Sequence, residues 1–118
     1  MNIPSTLLHL DPEALSRRTG YVPLRPGVEI LYVYRDEASG SSCALLKYAA
    51  GAEVPEHVHA GFEHVYVLSG EQSDARGTYP AGSFVINPPG TMHRVWSTPG
   101  CLVLIVWQKP VAFTAPAR

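Results

Sequence analysis

One stretch constrains this chain more than any other: Gly51 to Gly70, reading G-A-E-V-P-E-H-V-H-A-G-F-E-H-V-Y-V-L-S-G. It sets His57, His59 and Glu63 within a segment otherwise rich in Val, Tyr, Phe and Leu. On a β-strand, residues two apart share a face. His57 and His59 therefore point the same way, with Cα atoms roughly 6–7 Å apart, and Val58 points the other way. Two imidazoles at that spacing can close on one metal ion if a turn or bulge follows. Ala60-Gly61 supplies the flexible point, because glycine adopts backbone angles other residues avoid. Glu63 opens the next apolar strand and can bring a carboxylate to the same spot. Two imidazoles and a carboxylate suit iron, manganese, nickel, copper or zinc. A lone strand histidine would read as an ordinary surface or core residue, but the H-x-H pair with Glu four residues on does not.

A third histidine, His93, follows the turn Asn87-Pro88-Pro89-Gly90. Phe84 to Ile86 before that turn and His93 to Trp96 after it read as two strands. His93 starts the second of them, where it can face an interior and complete the set His57, His59, Glu63, His93. Four protein ligands around a metal that prefers five or six leave room for water or substrate. Structural zinc sites are instead closed and thiolate-rich.

Both motifs resemble those of the cupin superfamily. The first is Gly51-x5-His57-x-His59-x3-Glu63-x6-Gly70, and the second is Gly82-x5-Pro88-x-Gly90-x2-His93. The superfamily's second motif often continues to an Asn, where this chain has Ser97. A narrower resemblance is to the cupin domain of ChrR-type anti-sigma factors. Pro26-Gly27-Val28, Pro55 to His59, Ser73-Asp74, Tyr79 to Gly82, Asn87 to Gly90 and Gly100-Cys101 carry it. The resemblance implies a small jelly-roll β-barrel, all-β apart from a short N-terminal helical turn. It also implies one divalent transition metal (iron, manganese, nickel or zinc) on His57, His59, Glu63 and His93, and a homodimer. In that family a sigma factor is held through an N-terminal zinc segment of the form H-x3-C-x2-C. This sequence has none, so sigma binding is not expected.

The 118 residues suffice for one domain with a real core. Hydrophobic residues make up 46% and charged residues 16%, which excludes a disordered chain. Eleven prolines and ten glycines fit many turns between short strands. A net charge of −1 argues against a nucleic-acid surface. No apolar run reaches the roughly 20 residues of a membrane span, and no secretory signal opens the chain, so a cytoplasmic protein is expected. Cys43 and Cys101 read as buried, reduced thiols, with a disulfide between them the minor alternative.

Three parts are expected: an N-terminal arm and connector (1–27), the barrel (28–110) and a tail (111–118) that is a flexible arm or a swapped edge segment. Asp11-Pro12-Glu13 starts a short helix that Gly20 ends. Val28 to Arg35 is a strand with both faces covered. Ser69-Gly70 turns the chain after Phe62 to Leu68, and Asp74 to Gly77 is another turn. Cys101 to Trp107 is a buried strand. In all, about eight strands with turns between them spell a sandwich or barrel. His64 falls on the face opposite Glu63, Arg94 points outward, and His9 is an ordinary surface residue. Tyr48, Tyr66 and the two tryptophans are core or interface, with room for one to line a pocket.

Three functions fit. The first is a small-molecule enzyme of oxygenase type acting on diketone-like or flavonol substrates, with Glu63 a ligand or a mobile base. The second is a small-molecule sensor. The third is a domain whose metal mainly staples the fold.

Overall fold

The computed structural model describes residues 8–114. Among these residues one short helix, α1 (Pro12–Ser16), precedes ten strands. Pro12 pre-sets the first turn of α1, and the Leu15 N–H bonds the Asp11 carbonyl at 2.9 Å. The Asp11 side chain makes no cap bond, and the helix stops at Arg17, short of Gly20. Its one buried residue, Leu15, packs with Leu45, Leu68 and Leu102 on the outer face of the sheet.

The strands are β1 (Val22–Arg25), β2 (Val28–Asp36), β3 (Ser41–Tyr48), β4 (Ala52–His59) and β5 (Glu63–Asp74), then β6 (Gly77–Pro80), β7 (Phe84–Asn87), β8 (Met92–Ser97), β9 (Cys101–Trp107) and β10 (Val111–Phe113). They pair antiparallel in the order β1-β2-β3-β9-β5-β8-β4-β10, with β6 and β7 also on β5. The sheet curls on itself in a half-barrel, the jelly-roll arrangement expected of a cupin.

The curl depends on β5. Ser69-Gly70 does not turn the chain back, as the sequence suggests. Instead β5 runs on for 12 residues and bends there. Its first half lies between β7 and β9, and its second half meets β6 and β8. A register shift between Val67 and Ser69 marks the bend, and Gly70 takes φ +69°. One strand thus belongs to both walls, and the interior between them holds the main core. Val28, Ile30, Ala44, Leu46, Val65, Val67, Val103 and Ile105 fill it.

Residues 21–27 and 111–113, expected as connector and tail, hold paired strands: β1 on β2 and β10 on β4. Residues 115–118 of the tail lie outside the described residues. β2 is less covered than its apolar alternation suggests. Val28 and Ile30 are buried, but Tyr32 is exposed beside a register shift between Tyr32 and Tyr34. Cys43 and Cys101 are buried and free. Among the described residues, no helix is long and apolar enough to cross a membrane.

Candidate metal centre

His57, His59, Glu63 and His93 meet at one point. One ligand atom from each lies within 4.8 Å of all the others. The register explains how. His57 of β4 sits directly opposite His93 of β8, so cross-strand partners share the inner face. A register shift between Val54 and His57 precedes the pair, at Pro55-Glu56. Without it, alternation would put Val54 and His57 on opposite faces, whereas both are buried. The decisive irregularity therefore comes before the H-x-H pair. Gly61, after it, is needed for space: a Cβ there would stand 2.8 Å from Gln108 Oε1.

Each imidazole is fixed through its Nδ1. His57 Nδ1 lies 2.8 Å from the Pro55 carbonyl, which only accepts, so His57 donates there. His59 Nδ1 lies 3.0 Å from Thr91 Oγ1. That hydroxyl gives its own proton to the Pro88 carbonyl at 2.6 Å, so it too accepts from the ring. His93 Nδ1 donates to Asp74 Oδ2 at 3.0 Å. All three neutral rings then present the Nε2 lone pair inward. His59 Nε2 is buried with no hydrogen-bond partner, although Glu63 Oε1 is only 3.2 Å away. His93 Nε2 is 3.8 Å from the same oxygen.

Glu63 is held from both sides. Its cross-strand partners are Asn87 of β7 and Trp107 of β9, and both point inward with it. Asn87 Nδ2 donates to Oε1 at 3.0 Å and Trp107 Nε1 to Oε2 at 2.7 Å. Burial pushes the Glu63 carboxyl up; the Trp107 indole N–H pulls it down, and hydrogen bonding and positive charge from His59 and His93, when those rings are protonated, bring it below its ordinary range. Asp74 behaves alike: burial raises it, and bonds from His93, Tyr79 and Arg76 bring it to about 2. Arg76 also reaches Asn87 Oδ1 at 2.8 Å, so one guanidinium steadies the supports of both His93 and Glu63.

Asp74, Thr91, Asn87, Trp107 and Arg76 went unread in the sequence. Asp74 and Asn87 read equally well as turn residues, and Trp107 as core. Ser97, at the position where the motif often has Asn, is fully buried and donates to the Glu71 carbonyl at 2.6 Å. His64 does lie on the outer face, between the rings of Phe62 and Phe84. Arg94 points outward, paired with Glu53 and lying over Trp96. His9 is exposed.

A cavity of about 520 Å³ opens onto this cluster. His57, Glu63 and His93 form its polar floor. Ile30, Leu46, Val54, Val65, Val95 and Ile105 supply apolar wall. Tyr48 and Trp107 also line it.

Burial holds the His57 pKa below its ordinary 6.5, the Pro55 bond opposing. A lowered folded value means the unfolded chain takes up the proton first. The stability linked to His57 is thus present above 6.5 and lost as pH falls below it. The melting temperature of metal-free protein is expected to drop between about pH 7 and pH 5, and less steeply in His57→Gln, as calorimetry at stepped pH would record.

The donor chemistry fits a cation. Three inward lone pairs and one ionised oxygen, with no proton among them, repel one another unless a positive charge sits between. The set of three nitrogens and one oxygen matches divalent first-row metals.

No curated protein matches the chain. Solved structures do. An RmlC-like cupin protein from Ralstonia eutropha is 27% identical, with a TM-score of 0.72 over 78% of this chain and 64% of its own. An acetylacetone dioxygenase from Acinetobacter johnsonii shares the fold at 16% identity, with a TM-score of 0.77 over 98% of this chain and 79% of its own. The anti-sigma factor ChrR, solved with SigE of Rhodobacter sphaeroides, is 24% identical, with a TM-score of 0.68 over 80% of this chain. The chain spans just 64% of the Ralstonia protein and 54% of the matched ChrR chain. The model of the ChrR Cupin-like domain matches residues 15–112. With nearly the whole described chain matched, the protein belongs to the ChrR Cupin-like domain family.

Proposed function

We propose that the chain binds one divalent first-row metal on His57, His59, Glu63 and His93 and uses it on a small oxygen-chelating molecule, as an oxygenase-type enzyme. The observation that carries this is the convergence of three unprotonated Nε2 atoms and one carboxylate beneath an apolar cavity. When bound, the metal would supply a Lewis acid whose one or two open positions take the chelating substrate and activate it toward O2. The chain's own residues orient and enclose. The Pro55 carbonyl, Thr91 and Asp74 fix the three rings, while Asn87 and Trp107 fix Glu63. With both oxygens engaged and its pKa lowered, Glu63 acts as ligand rather than mobile base. The apolar wall keeps water from the chelated substrate. The likeness to an acetylacetone dioxygenase supports a diketone-like substrate at the level of fold.

The test is O2 uptake by iron-loaded protein with acetylacetone, other 1,3-diketones and flavonols, beside elemental analysis of protein purified without added metal. Turnover with any of them is the expected result. Tight ligand binding without O2 uptake would replace this reading by a sensor. The family match to a regulatory protein's domain favours the sensor as the second reading.

Asp74 gives a graded check. Asp74→Asn keeps the shape and removes the charge behind His93. Metal affinity is expected to fall about 10- to 100-fold, read by competition with a chromogenic chelator.

A further inference from the structure

Two arginines line the cavity: Arg35, exposed and stacked on Tyr32, and the half-buried Arg25. Arg25 lines the same cavity as His57, Glu63 and His93. Its Nε is buried without a hydrogen-bond partner. Among the described residues no carboxylate pairs with its guanidinium, whereas Arg17, Arg76 and Arg94 each have one. A buried donor left unmade is costly, and more so on a charged group. Arg25 is also aimed inward by a built irregularity. Val22 pairs with Ile30, so simple alternation along β1 would turn Arg25 to the outer face. A register shift between Pro23 and Arg25 sets Arg25 opposite Val28, which is 1% exposed and faces the interior.

Its surroundings suit an anion. The guanidinium carbon lies 4.9 Å from the centroid of the Phe113 ring, which is itself 5.8 Å from the His57 ring. Arg25 and the metal cluster are thus separated by one aromatic ring. Tyr48 and Gln72, 4% and 3% exposed, line the same cavity. The Tyr48 oxygen accepts from Gln72 Nε2 at 3.4 Å, which leaves its own proton free to donate. Two acidic residues also line the cavity, Asp36 and Glu37. The Asp36 oxygens are taken by the Ala38 N–H and the Ser39 hydroxyl, and Glu37 is exposed. Neither neutralises Arg25.

We propose that the molecule bound in this cavity carries a carboxylate, which Arg25 holds while other oxygens of the same molecule reach the metal. The substrate class is then a short oxo acid rather than a neutral diketone. This rests on the metal-site reading above and narrows it.

The experiment compares two probes that differ in one group: acetylacetone and 2,4-dioxopentanoate, the same diketone bearing a carboxylate. Each is titrated calorimetrically, without oxygen, into the iron-loaded and the metal-free full chain. In the loaded protein 2,4-dioxopentanoate is expected to bind at least about tenfold tighter. Arg25→Gln is expected to erase that preference and leave acetylacetone affinity unchanged. Equal or weaker binding of the acid by the unmutated protein overturns the proposal, whether or not the variant folds. A preference that survives in Arg25→Gln also overturns it. Failure to load iron, manganese, nickel or zinc would sink the metal reading alone, because binding of the acid to metal-free protein, lost in Arg25→Gln, would still assign the anion site.

Discussion

In a His59→Ala variant, metal content is expected to fall from about one ion per chain to below about a tenth, and O2 uptake to background. The reason is geometric. His59 is 1% exposed, its Nδ1 is committed to Thr91, and its Nε2 is aimed at the other three ligands with no partner of its own. Stability should move as well. A ligand present at about 100 times its Kd stabilises by about 2.7 kcal/mol. For a domain this size that is on the order of 10 °C in Tm. The native protein should therefore lose about that much on chelation, while His59→Ala should not respond to chelator. His64→Ala is the control: it removes an imidazole five residues away, on the outer face, and should leave metal content unchanged. Full metal occupancy in His59→Ala would show that the cation sits elsewhere.

The clustering of His57, His59, Glu63 and His93 was legible because it is written in local spacing. H-x-H on a strand shares a face, and the proline-glycine turn before His93 marks its return. What supports the ligands was not legible, and the cause is physical. Asp74 meets His93 across a strand pairing, and Trp107 meets Glu63 from 44 positions away. No local period encodes either contact. Asn87 and Asp74 also carry side chains that favour turns, so composition alone cannot separate a turn from a support. Bulges are hidden for the same reason. The shifts at Pro55-Glu56 and Pro23-Arg25 each reverse the face of a functional side chain, and only the partner strand reveals them. Arg25 therefore read as part of a connector, and Ser69-Gly70 as the end of a strand that in fact continues through both walls.

That continuation makes Gly70→Ala the most damaging small substitution in the fold. Gly70 sits at φ +69°, where an alanine costs roughly 1–2 kcal/mol. Strain is the smaller part. A Cβ there would overlap the Gly100 carbonyl oxygen and stand 2.9 Å from the Cys101 Cα. Both are backbone, and Cys101 opens β9 in register with Gly70 itself. Relief requires β5 and β9 to separate at the bend that curls the sheet. The site would feel it, because Glu63 lies at one end of β5 and Asp74 at the other. A loss of roughly 3 kcal/mol or more is expected, or about 10–20 °C in Tm. Gly51→Ala is the matched comparison: φ is +80°, yet nothing lies within 4 Å of the added Cβ. It should cost only the backbone strain, roughly 1 kcal/mol. Thermal melts of the two variants separate the effects. Similar small losses in both would mean that β5 and β9 do not approach closely at Gly70 and that the curl is imposed elsewhere.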